Sequence, residues 1–143
     1  MKRRLQISLI IIVIAILLVA CAPEADQAQE PAQVTVGEPF EIHQGEVVTI
    51  GEGNVQISVA EFVEDSRCPM NARCIVAGQA VVRVRVDGEV VALGLWSDDV
   101  PSKVALADGY TLELLEVNPF PGSLEEASGS PQSVRLVVTG QES

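Results

Sequence analysis

From residue 34 onward this sequence predicts an all-β fold, an antiparallel β-sandwich or partly open barrel of about seven or eight short strands. Three observations carry the prediction. Apolar residues alternate with polar ones at period two, the pattern of a half-buried strand. No stretch sustains the i, i+3, i+4, i+7 stripe of an amphipathic helix. Glycine, proline and serine fill the gaps between the alternating runs, as turns require.

The elements follow in order. Phe40 with Ile42, and Val48 with Ile50, mark two early strands. Val55, Ile57 and Val59 then alternate with Gln56, Ser58 and Ala60. The phase slips so that Phe62 is the next large apolar residue, which predicts a bulge near Glu61. Gln79 to Trp96 is the clearest segment, because Asp87-Gly88 stands between two apolar runs as a two-residue hairpin turn. Folding there sets Val84 opposite Val91, Val82 opposite Leu93 and Ala80 opposite Leu95, all on one apolar face. The other face carries Arg85 opposite Val90, Arg83 opposite Ala92, Val81 opposite Gly94 and Gln79 opposite Trp96. A slip of one residue would put both arginines in the core, so the register is fixed. Asp108-Gly109 turns a weak strand, Lys103 to Ala107, back into one that begins at Tyr110. Tyr110, Leu112 and Leu114 alternate until Leu115 and Val117 take over, a second phase shift. Val134, Leu136 and Val138 form the last strand. Gly122 to Gln132 reads as a mobile loop.

The N-terminus is of another kind. Lys2-Arg3-Arg4 precedes an apolar run from Ile7 to Ala20 that is broken only by Ser8. Its 14 residues fall short of the about 20 that span a bilayer. A basic start, a short apolar stretch and a small residue before the cut describe a secretory signal peptide. Leu18-Val19-Ala20-Cys21 resembles a bacterial lipobox. The resemblance implies cleavage before Cys21 and a diacylglyceryl group on its sulfur. It also implies two or three acyl chains, enough for stable anchoring. Residues 1–20 are then signal, 21–33 a lipidated cysteine with a disordered tether, and 34–143 the β domain. Ala22 to Gln33 contains no aromatic or β-branched residue and cannot offset its ordering entropy by burial.

Charge narrows the function. Three of the nine cations precede Cys21 and all 20 acids follow it, so the cleaved chain has six cations and a formal charge of −14. That argues against nucleic acid as a partner and against lying flat on an anionic bilayer. The 48% hydrophobic content is raised by the signal segment.

Cys68 and Cys74 remain after Cys21, in an exported domain where disulfides persist. Redox pairs are commonly Cys-x-x-Cys, and this one is not. Structural zinc wants four ligands, more than two cysteines and the lone His43 supply. A disulfide pinning a loop is the expectation. Asp65-Ser66-Arg67-Cys68-Pro69, a second cysteine at 74, and then Ala77-Gly78 resemble a group of small, uncharacterised bacterial secreted and lipoprotein domains. Those sequences commonly carry Trp-Ala-Gly after the second cysteine, and here Val76 stands in place of the Trp. Tyr110 to Pro121 is similar to the same group more weakly. The resemblance covers about a third of the mature chain, and it implies no particular activity.

Arg67 and Arg73 flank this loop. They are candidate binding residues for a carboxylate or polar partner, or else pair locally with Glu64 or Asp65. His43, the one histidine, stands between Ile42 and Gln44 with no nucleophile motif near it. Asp98-Asp99 and Glu125-Glu126 offer oxygen ligands but lack calcium-loop spacing. The expectation is a non-enzymatic, lipid-anchored extracytoplasmic domain, with no cofactor, that binds or supports another component of the bacterial cell envelope. The alternative is a small-ligand or metal-binding lipoprotein that uses its acidic loops.

Cys21→Ser should leave an uncleaved precursor or release an unlipidated product. Mass spectrometry of the N-terminal peptide of the wild-type protein decides the point, and a mature chain with a free Cys21 thiol would refute the anchor.

Overall fold

Asp87 and Gly88 both take positive φ, 47° and 90°, as the two central residues of a type I′ turn must. The hairpin they close joins β5 (Ala80–Val86) to β6 (Glu89–Leu95). Its register matches the sequence expectation from Ala80↔Leu95 through Arg85↔Val90. Asp87 also ties the turn to the next strand. Its Oδ1 accepts from the Gln56 N–H at 2.8 Å, and its own N–H donates to the Gln56 carbonyl at 3.0 Å. The expected last pair, Gln79 with Trp96, lies beyond the ladder, because Trp96 turns away at a φ of 56°.

The computed structural model describes residues 31–51, 55–107 and 109–140. The signal segment, Cys21 and the tether up to residue 30 lie outside the described residues, as does Asp108. Among those described, nine strands form two sheets. The larger contains β1 (Ala32–Val34), β3 (Val47–Ile50), β4 (Val55–Asp65), β5 and β6 in that spatial order. The smaller contains β2 (Phe40–His43), β9 (Ser133–Gly140), β8 (Tyr110–Asn118) and β7 (Lys103–Ala105). Neither sheet closes on itself, so the fold is a sandwich and not a barrel. All neighbours are antiparallel except β1 with β3.

Strand β1 departs from the sequence reading, which gave Ala32 and Gln33 to the tether. Three residues carry too little alternation to register as a strand. Their order comes from β3, with Ala32 paired to Val48 and Val34 to Ile50.

The core lies between the sheets. Val48, Ile57, Val82, Val84 and Leu93 face Ile42, Leu112, Leu114, Val134 and Leu136, and all of these are buried. The bulge expected near Glu61 is present as a register shift between Val59 and Glu61. A second shift, between Phe62 and Glu64, accounts for the exposed Val63. The phase change in β8 falls between Leu114 and Glu116 and returns Val117 to the core. Each inserted residue keeps the apolar side chains after it pointing inward.

Gly122 to Gln132 is not structureless. Ser123 caps a single helical turn, α1 (Leu124–Ala127), with its Oγ accepting from the Glu126 N–H at 3.2 Å. Glu126 Oε2 reaches back to the Gly122 N–H at 2.6 Å, a variant of the reciprocal cap that Ser-x-x-Glu encodes. At the other end the Gly129 N–H donates to the Glu126 carbonyl and the Ser130 N–H to that of Glu125, a Schellman closure. Caps at both ends hold a turn too short to persist alone.

Past Asp65 the β4–β5 pairing runs on. The Ser66 N–H donates to Gln79 O at 2.8 Å and the Cys68 N–H to Ala77 O at 2.9 Å. Gly78, at φ 73°, lies so close to the Ser66 carbonyl that an added Cβ would collide with it. Gly78→Ala should therefore destabilise the domain by more than about 2 kcal/mol, from positive φ and steric conflict together. Urea unfolding measures this, and a change below about 0.5 kcal/mol would show that the contact relaxes freely.

Candidate functional site

One end of the sandwich gathers most of the residues that the sequence singles out. Cys68 and Cys74 lie there at disulfide distance, with Cα atoms 5.8 Å apart, and close the tip of the extended β4–β5 hairpin. A bridge around so short a loop stabilises by about 2 kcal/mol on the chain-entropy model. The tip docks on the segment that follows β8. The Met70 N–H donates to Pro121 O at 2.9 Å, and Gly122 has no room for a Cβ beside Met70 and Asn71.

Arg67 is the fastening. Its side chain is buried, 4% exposed. Nε and Nη2 grip Asp65 Oδ1 and Oδ2 at 2.7 and 2.6 Å, the two-pronged geometry that suits guanidinium to carboxylate. Nη1 donates to the Val117 carbonyl at 2.7 Å and Nη2 to that of Pro119 at 3.1 Å. The cation lies 4.8 Å above the centroid of the Phe120 ring, within range of a cation–π attraction. Arg67 thus joins the end of β4 in one sheet to the end of β8 in the other. Its charge is neutralised by Asp65 and its donors are spent on backbone carbonyls, so little is left for a ligand. The pairing is local, with Asp65, as one half of the expectation has it; the guanidinium is buried and Asp65 is part-exposed.

Arg73 has the opposite setting. It is exposed and makes no ion pair among the described residues. The same end carries apolar side chains in water. Ile75 is fully exposed, and Met70, Val76, Trp96 and Leu124 are 62–89% exposed. The other exposed large apolar residues, Val47, Val63 and Val90, reach only 41–49%. The five most exposed therefore all belong to loops at this end, where isolated exposed residues would need no explanation.

Trp96 is the functional candidate that sequence reasoning missed. A bulky residue at positive φ carries strain of about 1–3 kcal/mol. The loop after β6 imposes it. The Gly94 N–H donates to Pro101 O at 3.0 Å, and the Val100 N–H donates to Ser97 Oγ at 3.1 Å, folding the chain back over the strand. The indole meets Phe120 edge to face, with centroids 6.2 Å apart. Two grooves flank it. One, of about 390 Å³, is walled by Leu95, Trp96, Leu115, Val117 and Phe120, with Arg67 also lining it. The other, of about 350 Å³, runs between Val76 and Trp96 and bears Glu64, Asp98 and Asp99. No local sequence signal marks a tryptophan for a left-handed turn.

The remaining candidates do not converge. His43 pairs with Glu46, Nδ1 to Oε2 at 3.2 Å, at a third groove with Glu41, Glu125 and Ser133. The His43 N–H, donating to Glu46 at 2.9 Å, holds that carboxyl below its usual range. The contact therefore holds at neutral pH and is lost as Glu46 protonates in acid. Ser133 Oγ is committed to Glu41 Oε1. Asp98-Asp99 and Glu125-Glu126 lie on different loops, and Glu126 is spent on the α1 cap. Among the described residues no three His, Cys, Asp or Glu side chains form a group that would hold a metal ion, nor is any helix long and apolar enough to cross a membrane.

No protein-family model, curated protein or solved structure matches this chain. The reading therefore rests on geometry.

The two arginines make a sharp contrast. Arg67→Met should cost about 1–3 kcal/mol, because it removes the donors to the Val117 and Pro119 carbonyls and the two-pronged contact with the part-exposed Asp65, whereas Arg73→Ser should stay within about 0.5 kcal/mol. Denaturant midpoints at constant m-value give both numbers. Equal effects from the two substitutions would contradict the assignment of roles.

Proposed function

We propose that this chain is a bacterial lipoprotein, cleaved before Cys21 and held by acyl chains on that cysteine to the extracytoplasmic side of a membrane. Its β-sandwich is a non-catalytic binding module that engages another component of the cell envelope. The engaging surface is the end that carries the Cys68–Cys74 loop and Trp96. The resemblance of residues 65–78 to small secreted and lipoprotein domains supports the same reading.

The observation that carries this reading is the concentration of exposed apolar side chains at one end. Ile75, Val76, Met70, Trp96 and Leu124 stand in water on loops fixed by a short cysteine-closed hairpin, a buried arginine and a capped turn. Apolar surface held in place without an internal partner marks an interaction site. Rigidity favours the same use, because a fixed loop loses less conformational freedom on binding than a free one. The acidic body, at −14 for the cleaved chain, keeps the rest of the domain soluble.

Photo-crosslinking in cells tests the assignment. A photoreactive residue at Val76 in the full-length chain should give a specific adduct. The same residue at Val90, on the outer edge strand β6, should give little. Equal labelling from the two positions would remove the loop end as the binding surface.

A further inference from the structure

We propose that the component engaged by the loop end is the bilayer itself. Met70, Ile75, Val76 and Trp96 then form a tip that rests in the interface of the membrane holding Cys21. The inference rests on the lipid-anchor reading above and deepens it.

The chemistry of the tip is interfacial. Ile75 and Val76 stand side by side at full or near-full exposure. Tryptophan concentrates where an apolar medium meets water, with its ring amid the headgroups. Residues 67–77 contain Arg67 and Arg73 and no acid, in a mature chain with 20 acids. Arg67 is neutralised within the fold, which leaves Arg73 to meet anionic headgroups while its stem lies along apolar side chains. Glu64, Asp98 and Asp99 line the groove between Val76 and Trp96. These carboxylates stay in water, so only the tips of the apolar side chains enter. The acidic body does not lie on the surface.

The path of the chain agrees. Strand β1 runs parallel to β3 and β3 antiparallel to β4, so the backbone enters β1 from the loop end. Ala32 is level with Ile57 across β3. From Ile57 to Asp65, where the loop begins, is about 26 Å of strand. The eleven steps from Cys21 to Ala32 span at most about 40 Å. A membrane just beyond the loop end is therefore within direct reach. A membrane at the other end would require the chain to reverse, and that end presents Asp87, Gly88 and Glu89. On so short a tether the tip meets lipid at high effective concentration, so a weak contact suffices to hold it there.

The shape of the surface favours lipid over a folded partner. Met70 and Ile75 project from the cysteine loop and Leu124 from α1, and they line none of the three grooves described above. Acyl chains accommodate such projections without matching pockets.

Trp96 is the one tryptophan in the sequence and so reports on the tip alone. The full-length protein, purified from membranes, is placed in vesicles of phosphatidylethanolamine and phosphatidylglycerol with brominated acyl chains. Mass spectrometry establishes whether Cys21 carries lipid. Trp96 emission should shift to the blue and be quenched relative to vesicles without bromine. I75D/V76D replaces only exposed side chains, so its unfolding curve should be unchanged. It should lower the docked-to-undocked ratio about 100-fold and abolish the quenching. A lipidated protein whose Trp96 is not quenched would overturn the tip and leave the anchor standing. Equal quenching in I75D/V76D would also overturn it. Trp96 emission that ignores lipid, together with a photo-crosslink from Val76 to an envelope protein, would make the occupant a protein and end this proposal. Absence of lipid on Cys21 would bring down the anchor reading and this one together.

Discussion

The pairing of Arg67 with Asp65 and with the carbonyls of Val117 and Pro119 is the constraint on which the arrangement of the loop end depends. Two sheets that pack face to face are held along their middles by apolar contact, but their ends are not. Here the β4–β5 hairpin extends past the core edge. A buried guanidinium supplies the missing cross-brace. It satisfies two carbonyls beyond hydrogen bonding's ordinary strand partners and lies against Phe120. A cation so placed tolerates no loss of its counter-charge, since an unpaired ion beside the core costs several kcal/mol. Lysine would not replace it, because a point charge cannot grip Asp65 with two prongs and reach two carbonyls at once.

From that brace the rest of the end follows. Phe120, fixed beneath Arg67, is the surface against which Trp96 packs edge on. Pro121, one residue further, receives the Met70 N–H and so seats the tip of the cysteine-closed hairpin. Gly122 lies against Asn71 and Met70, and Ser123 begins the capped turn. Four consecutive residues thus hand the position of Arg67 on to Trp96, the cysteine loop and the capped turn. The strained φ of Trp96 belongs to the same economy of design, because local strain persists only where its surroundings over-determine it.

Much of the fold was legible because its signals are local. Asp87-Gly88 between alternating runs fixes a turn type, a register and the faces of two strands at once. The phase slips at Glu61 and Leu115 give away two bulges, since one inserted residue reverses every side chain after it. The cap at Ser123 was equally legible as Ser-x-x-Glu, but the glycine and serine around it read as a loop. Other features have no local signature. β1 owes its order to β3. Arg67 is buried by carbonyls 50 and 52 residues away, and nothing around it in the sequence separates it from Arg73, which is exposed. Because arginine is seldom buried unless paired, a surface role was the natural reading for both. Only the three-dimensional pairing distinguishes a brace from a contact residue.

That distinction also bears on the proposed contact between a strongly acidic domain and anionic lipid. Counting Arg67 and Arg73 as two free cations overstates the positive charge of the loop, because Asp65 cancels one of them within the fold. A single cation would add only about 1 kcal/mol of attraction near a charged surface. Each aliphatic side chain that leaves water contributes about 1.5–3 kcal/mol when fully buried. The apolar tip, not the charge, must therefore dominate any contact made by this end. Acids line grooves at the loop end as well, Glu64, Asp98 and Asp99 beside Trp96 and Glu125 beside Pro119, so charge opposes contact with an anionic layer there too and apolar burial must supply the energy. Under the proposed anchoring at Cys21 a modest energy would suffice, because the short chain would keep the tip near the surface whether or not contact had been made.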